Sequence, residues 1–214
     1  MGKINGLEDE DRVPPKVRRM YRAVLEMLEE GTDASAIRVS MITERAGIGK
    51  GTAYEYFDSR EEIVCCAIVF QVRSIFGWLE KALEELGSFE GQLKFLLDEI
   101  EKGEVHKTCF LRIVHLVTDT SDFNRMIQTK MSAEAFGQYR PANVIGRVLG
   151  HGVDRGELRG DLPLDYMVYC LAAHLLTYMT MLAAGDCQDM DLPALRALVY
   201  QGIMGELARK NPDL

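Results

Sequence analysis

From Pro14 to Leu207 the apolar residues recur three and four positions apart, and the runs they form are cut by glycine and proline. That spacing is the period of an α-helix, and few alternating β-branched stretches compete with it. Val17, Tyr21, Val24 and Leu28 share one helical face that Pro14-Pro15 opens and Gly31 stops. Further helices are expected near 40–46, 50–57, 59–86, 89–102, 107–118, 122–139, 141–155, 164–184 and 192–209. Their punctuation is Gly47, Gly87, Gly103, Pro141, Gly156, Gly160, Pro163, Gly185 and Pro193. The pattern predicts an all-α chain of about nine or ten helices. Residues 1–13 read as a polar, loosely ordered tail.

Two short helices of this series are joined by a tight turn. They span Ile42-Thr43-Glu44-Arg45-Ala46-Gly47-Ile48-Gly49-Lys50-Gly51-Thr52-Ala53-Tyr54-Glu55-Tyr56-Phe57, within a helix-turn-helix of about 38–57. Ile42 and Ala46 can face the core, Ile48 can plug the turn, and Ala53 and Phe57 can pack the second helix inward. Lys50, Gly51, Thr52, Tyr54, Glu55 and Tyr56 then lie nearer the outside. Lysine offers charge to a phosphate, and hydroxyls donate to phosphate oxygens. Gly51 permits close backbone approach, and Glu55 can accept from a cytosine amino group. Ser40 opens the first short helix and is a further candidate DNA contact. Ser59-Arg60-Glu61-Glu62 has the form of a capping box at the head of a long helix.

Ile42 to Phe57, followed by Asp58-Ser59-Arg60-Glu61-Glu62-Ile63, resembles the signature of TetR-type transcriptional regulators. The resemblance covers about 15–75. It implies a three-helix DNA-binding head at 15–75, a long fourth helix, and a helical body at 76–214 that dimerises and binds a small effector. It also implies that Lys50, Gly51, Thr52, Tyr54 and Tyr56 meet operator DNA and that Arg60 touches a phosphate. A repressor released by its effector is the implied activity, in the cytoplasm. A DNA-binding dimer without an effector is the alternative. Gly49 stands where such proteins commonly carry a Ser or Thr cap, and Glu55 makes the reading face more acidic than usual.

Charge limits the reading. The net charge of −8 argues against coating nucleic acid through bulk attraction. Residues 12–60 nevertheless hold nine Lys/Arg against seven Asp/Glu, a small basic excess on an acidic chain. The five cysteines show no zinc spacing, and no metal or cofactor is expected. Cys109 and Cys187 are candidates for redox sensing. Gly47-Ile48-Gly49-Lys50-Gly51-Thr52 is not a P-loop, because Gly rather than Ser or Thr follows the lysine. His106, His115, His151 and His174 are scattered, and no catalytic arrangement follows from spacing, so no enzymatic activity is expected.

The remainder is less specific. Tyr166 to Gly185 carries no charge over 20 residues, long enough for a bilayer, yet its polar residues favour a helix buried at a dimer interface. The interface expected there uses Leu171, Leu175, Met179, Leu182, Leu195, Leu198, Val199, Ile203 and Leu207 from the last two helices. Met126, Met131, Met167, Met179, Met181, Met190 and Met204 suit either core filling or an adaptable pocket. Phe95, Phe110, Val114, His115, Phe123, Met126 and Tyr178 are its expected lining, with Tyr139 and Arg112 as further candidates.

Overall fold

The computed structural model describes residues 4–8, 10–102, 122–184 and 190–209. Among these, nine α-helices carry the chain: α1 (Pro15–Glu29), α2 (Val39–Arg45), α3 (Lys50–Tyr56), α4 (Arg60–Glu84), α5 (Phe89–Lys102), α6 (Asp122–Ser132), α7 (Pro141–Asp154), α8 (Leu164–Ala184) and α9 (Leu192–Leu207). Short 3-10 turns occupy Glu10–Arg12 and Glu134–Tyr139. The described residues contain no β-strand, only one bridge between Leu158 and Ala208. The helix expected at 107–118 lies outside the described residues, as do Cys109, Cys187, His106 and Arg112.

The described chain falls into two compact units: 4–75 with 122–140, and 76–102 with 141–184 and 190–209. Helix α4 is continuous through Ile75 and so contributes to both.

In the first unit the face expected on α1 is the buried one: Val17, Tyr21, Val24 and Leu28 are all at most 2% exposed. The Tyr21 ring lies 6.1 Å from that of Phe57 and 5.2 Å from that of Phe70, so one aromatic joins α1, the end of α3 and α4. Gly31, at φ +88°, ends α1. Its N–H donates to the carbonyl of Leu28, and the Thr32 N–H donates to Met27, which together satisfy the last carbonyls of the helix. The expected single helix over 122–139 is instead α6 followed by a 3-10 turn. The Arg140 guanidinium donates to the carbonyls of Met131 and Ser132, taking the place of the next helical turn.

The N-terminal tail corrects the sequence reading. Residues 4–8 are seated as a strap, with Ile4 at 8% exposure and Gly6 buried. The Ile4 N–H donates to the Tyr56 carbonyl over 3.2 Å. Lys130 donates to the carbonyl of Asn5 over 2.9 Å, Arg73 donates to that of Leu7, and the Glu8 carboxylate accepts from the Asn5 and Gly6 amides. Gly6 has φ +81°, and a Cβ there would stand 2.9 Å from Cys66 Cα. Neither its backbone angle nor its clearance admits another residue easily. One-dimensional hydropathy missed the strap because its anchors are backbone groups.

In the second unit α8 packs on α7 and α9, and α5 touches all three. A polar clasp joins α5, α8 and α9. Tyr178 donates to Glu101, Arg196 donates to the same Glu101 oxygen over 2.7 Å, and Arg196 also pairs with Asp98. Burial raises the Tyr178 pKa, and the bond to Glu101 adds to this. Burial opposes the charge on Arg196, but the two carboxylates outweigh it and hold the guanidinium protonated.

Two helices, Arg60–Glu84 and Leu164–Ala184, are long and apolar enough to cross a bilayer by length and composition. The first is explained by burial: the seven residues Ile63 to Val69 are all buried. The second is apolar all round yet only partly covered, with Tyr169 75% exposed.

Candidate nucleic-acid interface

Helix α2 ends in a Schellman turn. Ala46 is the C-cap, Gly47 sits at φ +63°, the Gly47 N–H donates to Glu44 over 3.1 Å, and the Ile48 N–H donates to Thr43 over 2.9 Å. No heavy atom lies within 4 Å of a Cβ built at Gly47, so glycine is favoured there by its backbone angle alone. Ile48 is half-buried in the turn, as expected of a plug. Gly49 caps α3 without a side chain, at φ −79° and ψ 152°.

On α3 the inward residues are Ala53, Tyr56 and then Phe57, at 0%, 4% and 1% exposure. They are three and four apart, the spacing of one helical face. Tyr56 therefore departs from its expected place outside. It belongs to the face that packs the head, and its carbonyl holds the strap. Lys50, Gly51, Tyr54 and Glu55 are exposed, Tyr54 at 53%, and Thr52 is half-buried. Ser40 is half-buried in the first turn of α2. Arg38, exposed at the N-cap of α2, was not singled out by spacing. Its signal was a cation placed two residues ahead of Ser40.

Two arginines brace this head. Arg45 forms a two-pronged pair with Glu30, each prong 2.9 Å, tying the end of α2 to the end of α1. The hydrogen bonds that Arg45 donates to Glu30 hold it more firmly protonated. Arg60 is turned inward rather than offered to solvent. Its Nη1 donates to the carbonyls of Ala34, Ser35 and Ile37, and its Nε and Nη2 donate to Glu61. Those bonds lower the Glu61 pKa. The forward half of the capping box forms in register, the Ser59 hydroxyl accepting from the Glu62 N–H; the Glu62 carboxylate reaches one residue further back and accepts from the Asp58 N–H.

Cys65 and Cys66 are fully buried, and burial pushes each thiol up to about 12. Thiols so protonated are poor nucleophiles.

Residues 26–64 match the family model for bacterial regulatory proteins of the tetR family. The helix-turn-helix head is of the tetR type. The whole-chain fold agrees with solved tetR-like regulators. A transcriptional regulator FadR from Bacillus subtilis, in complex with stearoyl-CoA, is 18% identical at a TM-score of 0.65, over 87% of this chain and 96% of that one. The fatty acid degradation regulator FadR from Bacillus halodurans is 20% identical at 0.67, over 91% and 97%. A transcriptional regulator from Saccharomonospora viridis in complex with choline is 16% identical at 0.66, over 91% and 98%. At these identities the likeness establishes the fold. No curated protein matches this sequence.

The residues expected beyond the tetR-type head fare differently. Phe110, Val114 and His115 lie outside the described residues. Phe95 is half-buried in the second unit, 6.0 Å from Trp78, and Tyr178 is fully buried there on Glu101. Phe123 and Met126 are half-buried on α6 in the first unit.

Most of the residues expected at the dimer interface are buried within the single chain. Leu171, Leu175, Met179, Leu195, Val199, Ile203 and Leu207 are at most 7% exposed within the single chain. Leu182 is half-buried, and only Leu198 stands out, at 55%. The leucine stripes are consumed by the protomer's own core. What they leave outside is a second stripe without charge: Tyr166, Tyr169, Ala173, Thr177 and Thr180 on α8, and Ala194, Ala197, Leu198, Gln201 and Gly205 on α9.

Proposed function

We propose that this chain is a dimeric, sequence-specific DNA-binding transcriptional regulator, with a head at 15–75 and a sensing and dimerising body at 76–214. The observation that carries the reading is the tetR-type head at 26–64, whose α3 turns Lys50, Gly51, Tyr54 and Glu55 outward. Lys50 and Arg38 supply charge to phosphates, and Ser40 and Thr52 donate from hydroxyls. Gly51, Tyr54 and Glu55 face the base edges in the major groove. Tyr56 acts through packing.

A two-fold dimer would set two α3 helices about 34–36 Å apart, one turn of B-DNA. The uncharged stripe of Tyr166, Tyr169, Ala173 and Leu198 supports that dimer, because exposed apolar surface free of charge marks association sites. An effector that favours one head spacing over another shifts operator affinity. A coupling of about 1–3 kcal/mol corresponds to roughly 5–150-fold. Effector sensing is supported by the stearoyl-CoA and choline complexes of proteins with this fold. The reading is a cytoplasmic repressor relieved by its ligand.

The test is selection of bound DNA from a random pool with the full chain, repeated with stearoyl-CoA or choline as probes. Lys50→Ala should weaken binding to the selected DNA and reduce the slope of log K against log salt by about 0.9, one phosphate contact. Binding that ignores the Lys50 substitution, or no enrichment from the pool, defeats the assignment.

A further inference from the structure

Arg60 stands in the first turn of α4, where a basic side chain has the option of reaching a phosphate. Its hydrogen bonds point elsewhere. Residues 33–37 turn the chain into α2: Asp33 Oδ1 accepts from the Ser35 N–H over 2.6 Å, and the Ala36 N–H donates back to the Asp33 carbonyl over 2.9 Å. This turn is neither helix nor strand, so its carbonyls have no ladder to join and need donors. Arg60 Nη1 supplies them, at 2.9 Å to Ala34, 3.0 Å to Ser35 and 3.2 Å to Ile37. The other edge of the guanidinium is occupied by Glu61 Oε1, at 2.9 Å from Nε and 2.6 Å from Nη2. The side chain is only 26% exposed. The three carbonyls take the Nη1 hydrogens and Glu61 takes Nε and one hydrogen of Nη2, so a phosphate would meet a guanidinium whose donors are mostly committed and a carboxylate beside it.

We propose that Arg60 is a positioning residue for DNA recognition: it clamps the entry of α2 to the first turn of α4 and makes no phosphate contact. The clamp ends at Ile37, whose side chain is fully buried, next to Arg38 at the N-cap of α2. It thereby fixes where Arg38 and Ser40 meet the duplex, and a change in the first turn of α4 is passed directly to α2. The task suits arginine. Its planar fork carries five donors in fixed directions, whereas an ammonium has three on a flexible stem and cannot span the same set.

The inference rests on the DNA-binding reading for its consequences, but its geometry is tested without DNA. Amide exchange of the full-length protein is measured for Arg60→Lys and Arg60→Ala. Both should speed exchange across 34–40 by tenfold or more, while amides 20–28 of α1 keep their rates. Binding is then measured against pool-selected and unrelated DNA over a range of salt. Arg60→Lys keeps the charge, so unrelated DNA should bind unchanged while affinity for selected DNA falls about tenfold. The slope of log K against log salt should stay within 0.3 of the parent, while Lys50→Ala flattens it by about 0.9. Arg60→Lys carries the test by itself if Arg60→Ala does not fold. The clamp is overturned by unchanged exchange at 34–40, by full rescue of specific binding in Arg60→Lys, or by a slope that drops by about one in Arg60→Ala. Failure of the parent protein to select any DNA sinks the DNA-binding reading and leaves the exchange result standing.

Discussion

Gly6→Ala separates the strap from the rest of the first unit. Two costs meet at this position. A non-glycine residue in the left-handed region costs roughly 1–2 kcal/mol, and φ there is +81°. The new Cβ would stand 2.9 Å from Cys66 Cα and 3.1 Å from the Cys66 carbonyl oxygen, backbone atoms of α4 that cannot turn aside. Overpacking of this kind adds about 1–3 kcal/mol. The strap has little to set against them. Burying the Ile4 side chain contributes about 1.5–3 kcal/mol, and each hydrogen bond to Tyr56, Lys130 and Arg73 about 0.5–1.5 kcal/mol. Ordering the segment costs about 1 kcal/mol per residue, so docking is marginal. A penalty of about 2 kcal/mol shifts the docked-to-released ratio roughly thirtyfold. Release uncovers Cys66, which is fully buried. The assay is native-state thiol alkylation resolved by mass spectrometry. Cys66 should label faster in Gly6→Ala, by up to about thirtyfold and by less the more the parent strap is already released, while far-UV circular dichroism is unchanged. Gly31→Ala is the control, because its φ of +88° carries the backbone cost with no atom within 4 Å. Equal Cys66 labelling in Gly6→Ala and the parent refutes the reasoning.

Other expectations follow from the same structure. Tyr169→Glu, at a position 75% exposed, should convert the proposed dimer to a monomer in gel filtration without lowering helix content, as should Leu198→Glu at 55%. Persistent dimers in both would remove this stripe as the interface. The Glu157 carboxyl is held below the usual carboxylate range by the Arg155 side chain, with the Phe89 N–H also donating to it. A depressed folded-state pKa contributes stability above the unfolded value of about 4.3 and loses it as pH falls through the folded value. Glu157→Gln should therefore flatten the loss of thermal stability below about pH 4.5; an unchanged acid limb in melting curves counts against the linkage. Lys50→Ala and the Arg60 pair, given above, address the DNA-binding face.

The helices were legible because their signals are local. Pro15 at the start of α1, the glycines at 31 and 47, and the apolar face of Val17, Tyr21, Val24 and Leu28 are read within a few residues of one another. The tetR-type head was legible for the same reason, since one helix-turn-helix lies in a single continuous stretch. Tyr56 shows the limit. Its place three residues after Ala53 put it on the packed face of α3, and spacing alone did not rank that face above the exposed one.

The sequence by itself determined an all-helical chain, the order of its helices, and a head whose exposed residues include Lys50 and Tyr54. The tertiary structure decided which of two apolar stripes on α8 and α9 is internal. Both helices are apolar nearly all round, so hydropathy could not choose, and the core took Leu171, Leu175, Leu195 and Leu207 and left Tyr169 and Leu198 outside. It also decided what Arg60 and the strap do. The bonds that hold them end on backbone carbonyls far along the chain, 26 residues from Arg60 to Ala34 and 125 from Lys130 to Asn5. Carbonyls are common to every residue, so no pattern of side chains announces them.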